Sequence, residues 1–185
     1  AWLAEDALEY PALSTEAAEA LNKQIICDLF EGSAPYRGRY ILPDYGKALR
    51  NGSEHLELDP PTDLDEALNF LLIMYTQVPS ITGYPVYLGD FDKILAPYVT
   101  DEVSDEDLYR KLKLFWRALD RMLPDAFVHT DLGPHDSRIA RILFRIDREL
   151  LQAVPNITLK VDPELTPDDL LLDAVETVFE TGKPH

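Results

Sequence analysis

The sequence predicts an α/β fold with a parallel component, helix-rich and with few short strands. Two observations carry this. Helical patterns come first along the chain, and strand and helix then alternate. The last thirty residues form one strand–helix unit: Ile157, Leu159 and Val161 alternate with Thr158, Lys160 and Asp162, and a capped helical pattern follows. Such a unit needs a parallel neighbour, and the sequence stops where a return strand should begin, so the ending reads as a cut through a larger fold.

From the amino end, residues 1–13 read as irregular around Pro11. Ser14 opens a helix with Glu16 and Glu19 in its first turns, running to about Phe30 and ended by Gly32. Residues 33–61 read as extended or looped, with a short helix at 43–50. Thr62-x-x-Asp65 caps the next helix; Leu64, Ala67, Leu68, Leu71, Leu72 and Tyr75 form its core stripe, and Pro79 closes it. Pro85-Val-Tyr-Leu88 is a short strand, and Phe91 to Tyr98 a brief helix. Ser104-x-x-Asp107 starts a long helix with Leu108, Leu112, Phe115, Trp116 and Leu119 inward, ending at Pro124. Ala126-Phe-Val-His129 is a second strand. Ser137 or Asp136 caps a helix to about Ala153, with Ile139, Ile142, Leu143, Ile146 and Leu150 inward. In the final helix Thr166 is the expected N-cap, Pro167 the first helical residue, and Asp169 completes a capping box. Leu170, Leu171, Ala174, Val175, Val178 and Phe179 recur at helical spacing, and Gly182 is the C-cap.

With 185 residues the chain is one large domain or a piece of one. Residues 1–61 supply a helix plus extended loops, and 62–185 supply helices and strand–helix units. One cysteine allows no internal disulfide and favours a reducing compartment. No 18-residue apolar run suggests a membrane span. The net charge of −17 makes a poor generic nucleic-acid binder, because phosphates are repelled. Residues 109–148 depart from this, with nine bases against five acids. Arg110, Lys113, Arg117 and Arg121 fall on one helix face, and Arg138, Arg141, Arg145 and Arg148 on the next. Both stripes read as solvated faces; the sharper reading is docking against acidic segments of this chain or of a partner.

The candidate chemistry is sparse. Cys27 lies within a helix with nothing basic adjacent, and reads as a structural thiol. His55, His129, His135 and His185 show no metal-ligand spacing. His129 ends a strand and precedes the loop Thr130-Asp-Leu-Gly-Pro134. Parallel α/β folds place their sites at the carboxyl ends of strands, which makes His129 a binding candidate beside a bland role in bracing the loop. Arg37 and Arg39, within Tyr36-Arg-Gly-Arg-Tyr40, could hold an anion or pair with the surplus of acids. There is no phosphate loop, no dinucleotide fingerprint and no nucleophile elbow.

Longer runs are more specific. Ile26-Cys-Asp-Leu-Phe-Glu-Gly32, Ala34-Pro-Tyr36, Arg39-Tyr-Ile-Leu-Pro-Asp-Tyr45 and Asn51-Gly-Ser-Glu54 resemble the YjjI-type glycyl radical enzymes. So do Pro85-Val-Tyr-Leu-Gly89, Leu123-Pro-Asp-Ala-Phe127, Gly133-Pro134, Asp136-Ser137 and Asp162-Pro163 with Thr166-Pro-Asp-Asp-Leu-Leu-Leu172. The resemblance runs from about Tyr10 onward. It implies the amino-terminal part of a ten-stranded α/β barrel built from two five-stranded halves. In that family a radical-SAM activating enzyme makes a backbone radical on a glycine near the carboxyl terminus. The radical passes to a loop cysteine, whose thiyl takes hydrogen from the substrate. The family's R-V-x-G-Y-type motif and its loop cysteine are not in this sequence, and Cys27 matches a helical position, so no catalytic residue carries over. His129 matches a family histidine, and Asp131 stands where the pattern has asparagine. The resemblance thus implies substrate-binding candidates His129 and Asp131, with Arg37 and Arg39 beside them from the residue reading. It implies no cofactor bound in this chain, a protein-derived glycyl radical in the full-length enzyme, and partnership with the remainder of the chain and the activating enzyme. A homodimer is left open, no nucleic acid or membrane partner is implied, and the location is cytoplasmic. The rival reading is a complete, non-catalytic acidic interaction module.

Overall fold

The structure, a computed structural model, describes residues 14–22, 42–82, 86–122 and 128–184. The chain divides into two compact units, Ala1–Tyr40 and Ile41–His185. In the first, helix α1 spans Thr15–Asn22. Ser14 Oγ accepts a hydrogen bond from the Ala17 N–H (3.2 Å), the N-cap role its sequence position predicts. The continuation of that helix to Phe30, Cys27, Arg37, Arg39 and His185 lie outside the described residues.

The second unit opens with α2 (Tyr45–Asn51), capped by Asp44, whose carboxylate accepts from the Lys47 N–H at 2.8 Å. Helix α3 (Leu64–Thr82) follows. Its N-cap is Asp63 rather than Thr62: Asp63 accepts from the Glu66 N–H, and Glu66 reaches back to the Thr62 N–H, both at 2.8 Å. This is the reciprocal capping box displaced by one residue. The helix also runs past Pro79. A proline near the carboxyl end removes one ladder donor, while Phe70, Leu71 and Tyr75 seat the preceding turns in the core.

Strand β1 (Tyr87–Asp90) leads into the short helix α4 (Phe91–Leu95) and a 3₁₀ turn at Ala96–Tyr98. Helix α5 (Asp105–Met122) is capped by Ser104, and buries Leu108, Leu112, Phe115, Trp116 and Leu119 as its spacing predicts. Strand β2 (His129–Leu132) begins where the sequence predicted its end. Thr130 and Asp131 look like loop residues, yet both are buried with partners: Thr130 Oγ1 donates to the Gly89 carbonyl (3.1 Å), and Asp131 pairs with Lys160. Helix α6 (Arg138–Leu150) uses Ser137 as its N-cap, with Ser137 Oγ accepting from the Ala140 N–H at 3.0 Å. It stops short of Ala153 because Leu151 turns left-handed (φ 47°) and closes the last turn onto the Asp147 carbonyl. Strand β3 is Asn156–Leu159, and helix α7 is Asp168–Thr181 with Gly182 (φ 78°) as its C-cap.

The strands form a parallel sheet in the order β1-β2-β3, with His129 opposite Asn156 and Asp131 opposite Thr158. Parallel crossovers are right-handed in nearly all proteins, and in that strand order such crossovers carry their connecting helices to one face. Leu88, Leu132, Ile157 and Leu159 are buried and belong to the same core as α3, α5 and α6. Full burial of one such side chain is worth about 1.5–3 kcal/mol.

Two expectations fail at the surface. The stripe of α6 is docked rather than solvated, whereas on α5 Lys113 docks and Arg110, Arg117 and Arg121 stay exposed, as a solvated face predicts. Arg138 bonds Asp105 and the Val103 carbonyl, Arg141 bridges Asp136 (2.7 Å) and Asp169 (2.9 Å), and Arg148 pairs with Asp173 (2.6 Å). Lys113 reaches Glu149, and the Arg145 guanidinium lies 3.9 Å from the Tyr109 ring centre. Thr166 does not cap α7 either. Pro167 holds that position, while Thr166 Oγ1 donates to the Pro134 carbonyl and accepts from the Asp162 N–H, both at 2.9 Å. It ties the loop after β2 to the loop after β3.

Candidate functional site

A pleated strand sends alternate side chains to opposite faces, and in-register parallel neighbours share a face. Leu88, Thr130, Leu132, Ile157 and Leu159 take the core side. The other side receives Tyr87, His129, Asp131, Thr158 and Lys160. An irregularity in the β1–β2 register brings Asp90 opposite Asp131 and adds it to this set. One face of a parallel sheet is therefore polar, where such sheets ordinarily carry apolar residues on both sides.

Contacts across the strands organise the face into two parts. His129 Nε2 lies 2.9 Å from Thr158 Oγ1, and its ring packs on Tyr87 with centres 5.7 Å apart. At the carboxyl edge, Lys160 Nζ bridges Asp131 Oδ2 (2.9 Å) and the Asp90 carboxylate, and Lys93 Nζ reaches Asp90 Oδ2 at 3.0 Å. Two lysines and two aspartates thus converge at the ends of all three strands. Burial opposes ionisation of Asp90, yet the hydrogen bonds from Lys160 and Lys93 prevail and hold its carboxyl below the usual range. Burial likewise disfavours the Lys160 cation, and its bonds to Asp90 and Asp131 outweigh that and push it up.

Asp92, on the first turn of α4, is buried, and that burial pushes its carboxyl up against the pull of the Gly133 and Lys93 N–H groups. The Gly133 N–H donates to Asp92 Oδ2 at 2.9 Å. Gly133 has φ 76°, and a Cβ there would lie 2.8 Å from the Lys160 carbonyl oxygen. Only glycine lets the loop after β2 pass this close to the residue that carries the bridging ammonium. Among the described residues no group of His, Cys, Asp and Glu converges to hold a metal ion.

Of the sequence-predicted candidates, His129 and Asp131 share this face; Arg37 and Arg39 lie outside the described residues. Sequence reasoning missed Asp90, Asp92 and Lys160. Lys160 had a signal, since it stood on the polar side of the predicted last strand. Asp90 had less, because the first strand was predicted to end at Leu88.

The arrangement can bind and orient a small polar ligand through carboxylate acceptors, an ammonium donor and an imidazole. Within it no side chain is aimed as an activated nucleophile.

A family model for the YjjI-like glycyl radical enzymes matches residues 1–185. The chain is 54% identical over 182 residues to the protein named "Uncharacterized protein YjjI" of Escherichia coli strain K12, covering 98% of this chain and 35% of that one. It is 46% identical over 164 residues to a Haemophilus influenzae protein, covering 89% of this chain and 31% of that one. The chain spans about a third of the length of these curated relatives. A match over every residue, with high identity along nearly the whole sequence, establishes that the chain belongs to the YjjI-like glycyl radical enzyme family.

Proposed function

We propose that this chain is the amino-terminal third of a glycyl radical enzyme, and that the polar face of its sheet lines the substrate cavity. The carrying observation is the two-sided character of the sheet: Leu88, Leu132, Ile157 and Leu159 join the helices in one core, and Tyr87, Asp90, His129, Asp131, Thr158 and Lys160 share the opposite face. Strands in the order 1-2-3 with helices on one side are wound in the sense of a barrel wall, in which the face without helices turns inward. The proposed whole is the ten-stranded α/β barrel.

In this reading the radical glycine and the thiyl cysteine lie in the remainder of the full-length chain, so residues 1–185 are inactive alone. A radical-SAM activating enzyme installs the radical in the cytoplasm, and the assembled enzyme is open to pairing as a homodimer. The radical supplies hydrogen-atom abstraction. His129 donates or accepts a hydrogen bond with the substrate, and Asp131, steadied by Lys160, accepts one. Arg37 and Arg39 are proposed as further substrate-binding candidates, suited by their chemistry to an anionic group. Orientation of this kind selects which hydrogen atom meets the thiyl.

The test uses the full-length enzyme, activated without oxygen and incubated with a small-molecule extract of anaerobic host cells. Mass spectrometry should show one metabolite consumed and one formed. In His129→Ala and Asp131→Ala the radical content should be retained, with turnover reduced by about 10²-fold or more. Full turnover by both variants would remove this face from the cavity.

A further inference from the structure

Helix α7 carries three differently occupied strips at its spacing of about 3.6 residues per turn. Asp169, Asp173 and Thr177 face α6, where Arg141 and Arg148 bond them at 2.5–2.9 Å. Leu170, Ala174 and Thr177 are buried. The third strip is apolar and open: Leu171, Val175 and Val178 are 37–42% exposed, Leu172 59% and Phe179 87%. These five lie on the flank turned away from α6. A helix whose apolar arc extends well past its buried strip is built to be packed from a second side.

We propose that this open flank of α7 is the docking surface for the helix of the next strand–helix unit of the full-length protein. Three observations choose that occupant. Helix α6 packs on α5 and α7 packs on α6, so each helix covers a flank of the one before it. Among the described residues β3 is the edge of the sheet beside which the next strand would lie. The relatives are nearly three times as long as this chain, so the full-length protein has chain enough to supply the unit. A second copy of α7 fits poorly. The helix carries Asp168, Asp169, Asp173, Glu176 and Glu180 and no base, so like charges would line a self-association. The proposal rests on the chain being part of a longer barrel wall, and its test does not depend on the radical chemistry.

The experiment is maleimide labelling of the full-length protein bearing Phe179→Cys or Glu180→Cys, with labelled sites assigned by peptide mass. Glu180 is exposed on the polar side of the same helix and serves as the reference. Phe179→Cys should label at least about tenfold more slowly, at a dilution where light scattering shows a monomer. Hydroxyl-radical footprinting of the unsubstituted protein should likewise show Phe179 and Leu172 protected, which covers the case in which the variant misfolds. Equal labelling of the two cysteines with unprotected Phe179 in the footprint, or protection only in a dimer, would overturn the proposal. Radical formation is scored separately, so an inactive enzyme with a protected Phe179 would sink the family chemistry and leave the docking surface standing.

Discussion

Asp90 and Asp92 stand two residues apart and are shifted in opposite directions. Lysine hydrogen bonds win over burial at Asp90 and hold it ionised, whereas burial wins at Asp92. Because the folded-state value of Asp92 lies above its unfolded value, its carboxyl favours folding at low pH. That contribution is lost as pH rises from the ordinary carboxylate range through the raised folded value. Asp90 behaves in the opposite sense: it stabilises above its unfolded value and stops doing so as pH falls through the lowered one. Asp92→Asn should therefore remove the destabilising contribution that Asp92 makes as pH rises above about 4, so that the variant's stability changes more favourably with pH than the wild type's. Urea denaturation across that range checks it, with the slope rather than the absolute level as the readout, since asparagine gives up one of two backbone acceptors. Parallel slopes for variant and wild type would contradict the assignment.

Helix and strand ends show what could be read before the structure. Ser14, Ser104, Ser137 and Gly182 act as caps because each is a local choice: each serine hydroxyl accepts from a backbone N–H three residues on, and Gly182 turns left-handed and bonds the Val178 carbonyl four residues back. Thr166 fits the same local pattern and fails, because two loops compete for its hydroxyl and win. The start of β2 was not legible for a related reason: Thr130 and Asp131 become strand residues only when Gly89 and Lys160 arrive from elsewhere in the chain. The candidate site was legible in the same measure. His129 and Asp131 follow from the carboxyl-end rule and the family pattern, while the Lys160 bridge depends on register. Lys183 is a further tertiary device at an element boundary. It leaves the end of α7 and reaches Asp147 on α6 (2.8 Å) and the carbonyls of Gln152 and Pro155. Asp147 is fully buried, so Lys183→Met strands a carboxylate and should cost about 3–5 kcal/mol in denaturation. Adding Asp147→Leu should recover much of that loss; a single-variant loss below about 1 kcal/mol would contradict the account.

For the whole molecule, the charge pattern acquires a purpose that composition alone left open. The basic stripe of α6 stitches that helix to both neighbours through Arg138, Arg141 and Arg148, and Lys113 of α5 joins it to Glu149. Each exposed pair is worth little, but together they fix which flank of each helix meets the next. Among the described residues that order leaves the apolar flank of α7 exposed, while the polar sheet face is largely half-buried. In the proposed barrel, further chain would pack against that flank, and the relatives, at nearly three times the length, have residues enough to do so.

The most direct measurement is electron paramagnetic resonance of the full-length protein after anaerobic treatment with a radical-SAM activating enzyme, S-adenosylmethionine and a reductant. The account predicts an organic radical split by one glycine α-hydrogen, lost when the radical glycine is changed to alanine and retained in His129→Ala and Lys160→Ala. A protein that is folded and bound by the activating enzyme, yet yields no such signal, would contradict it.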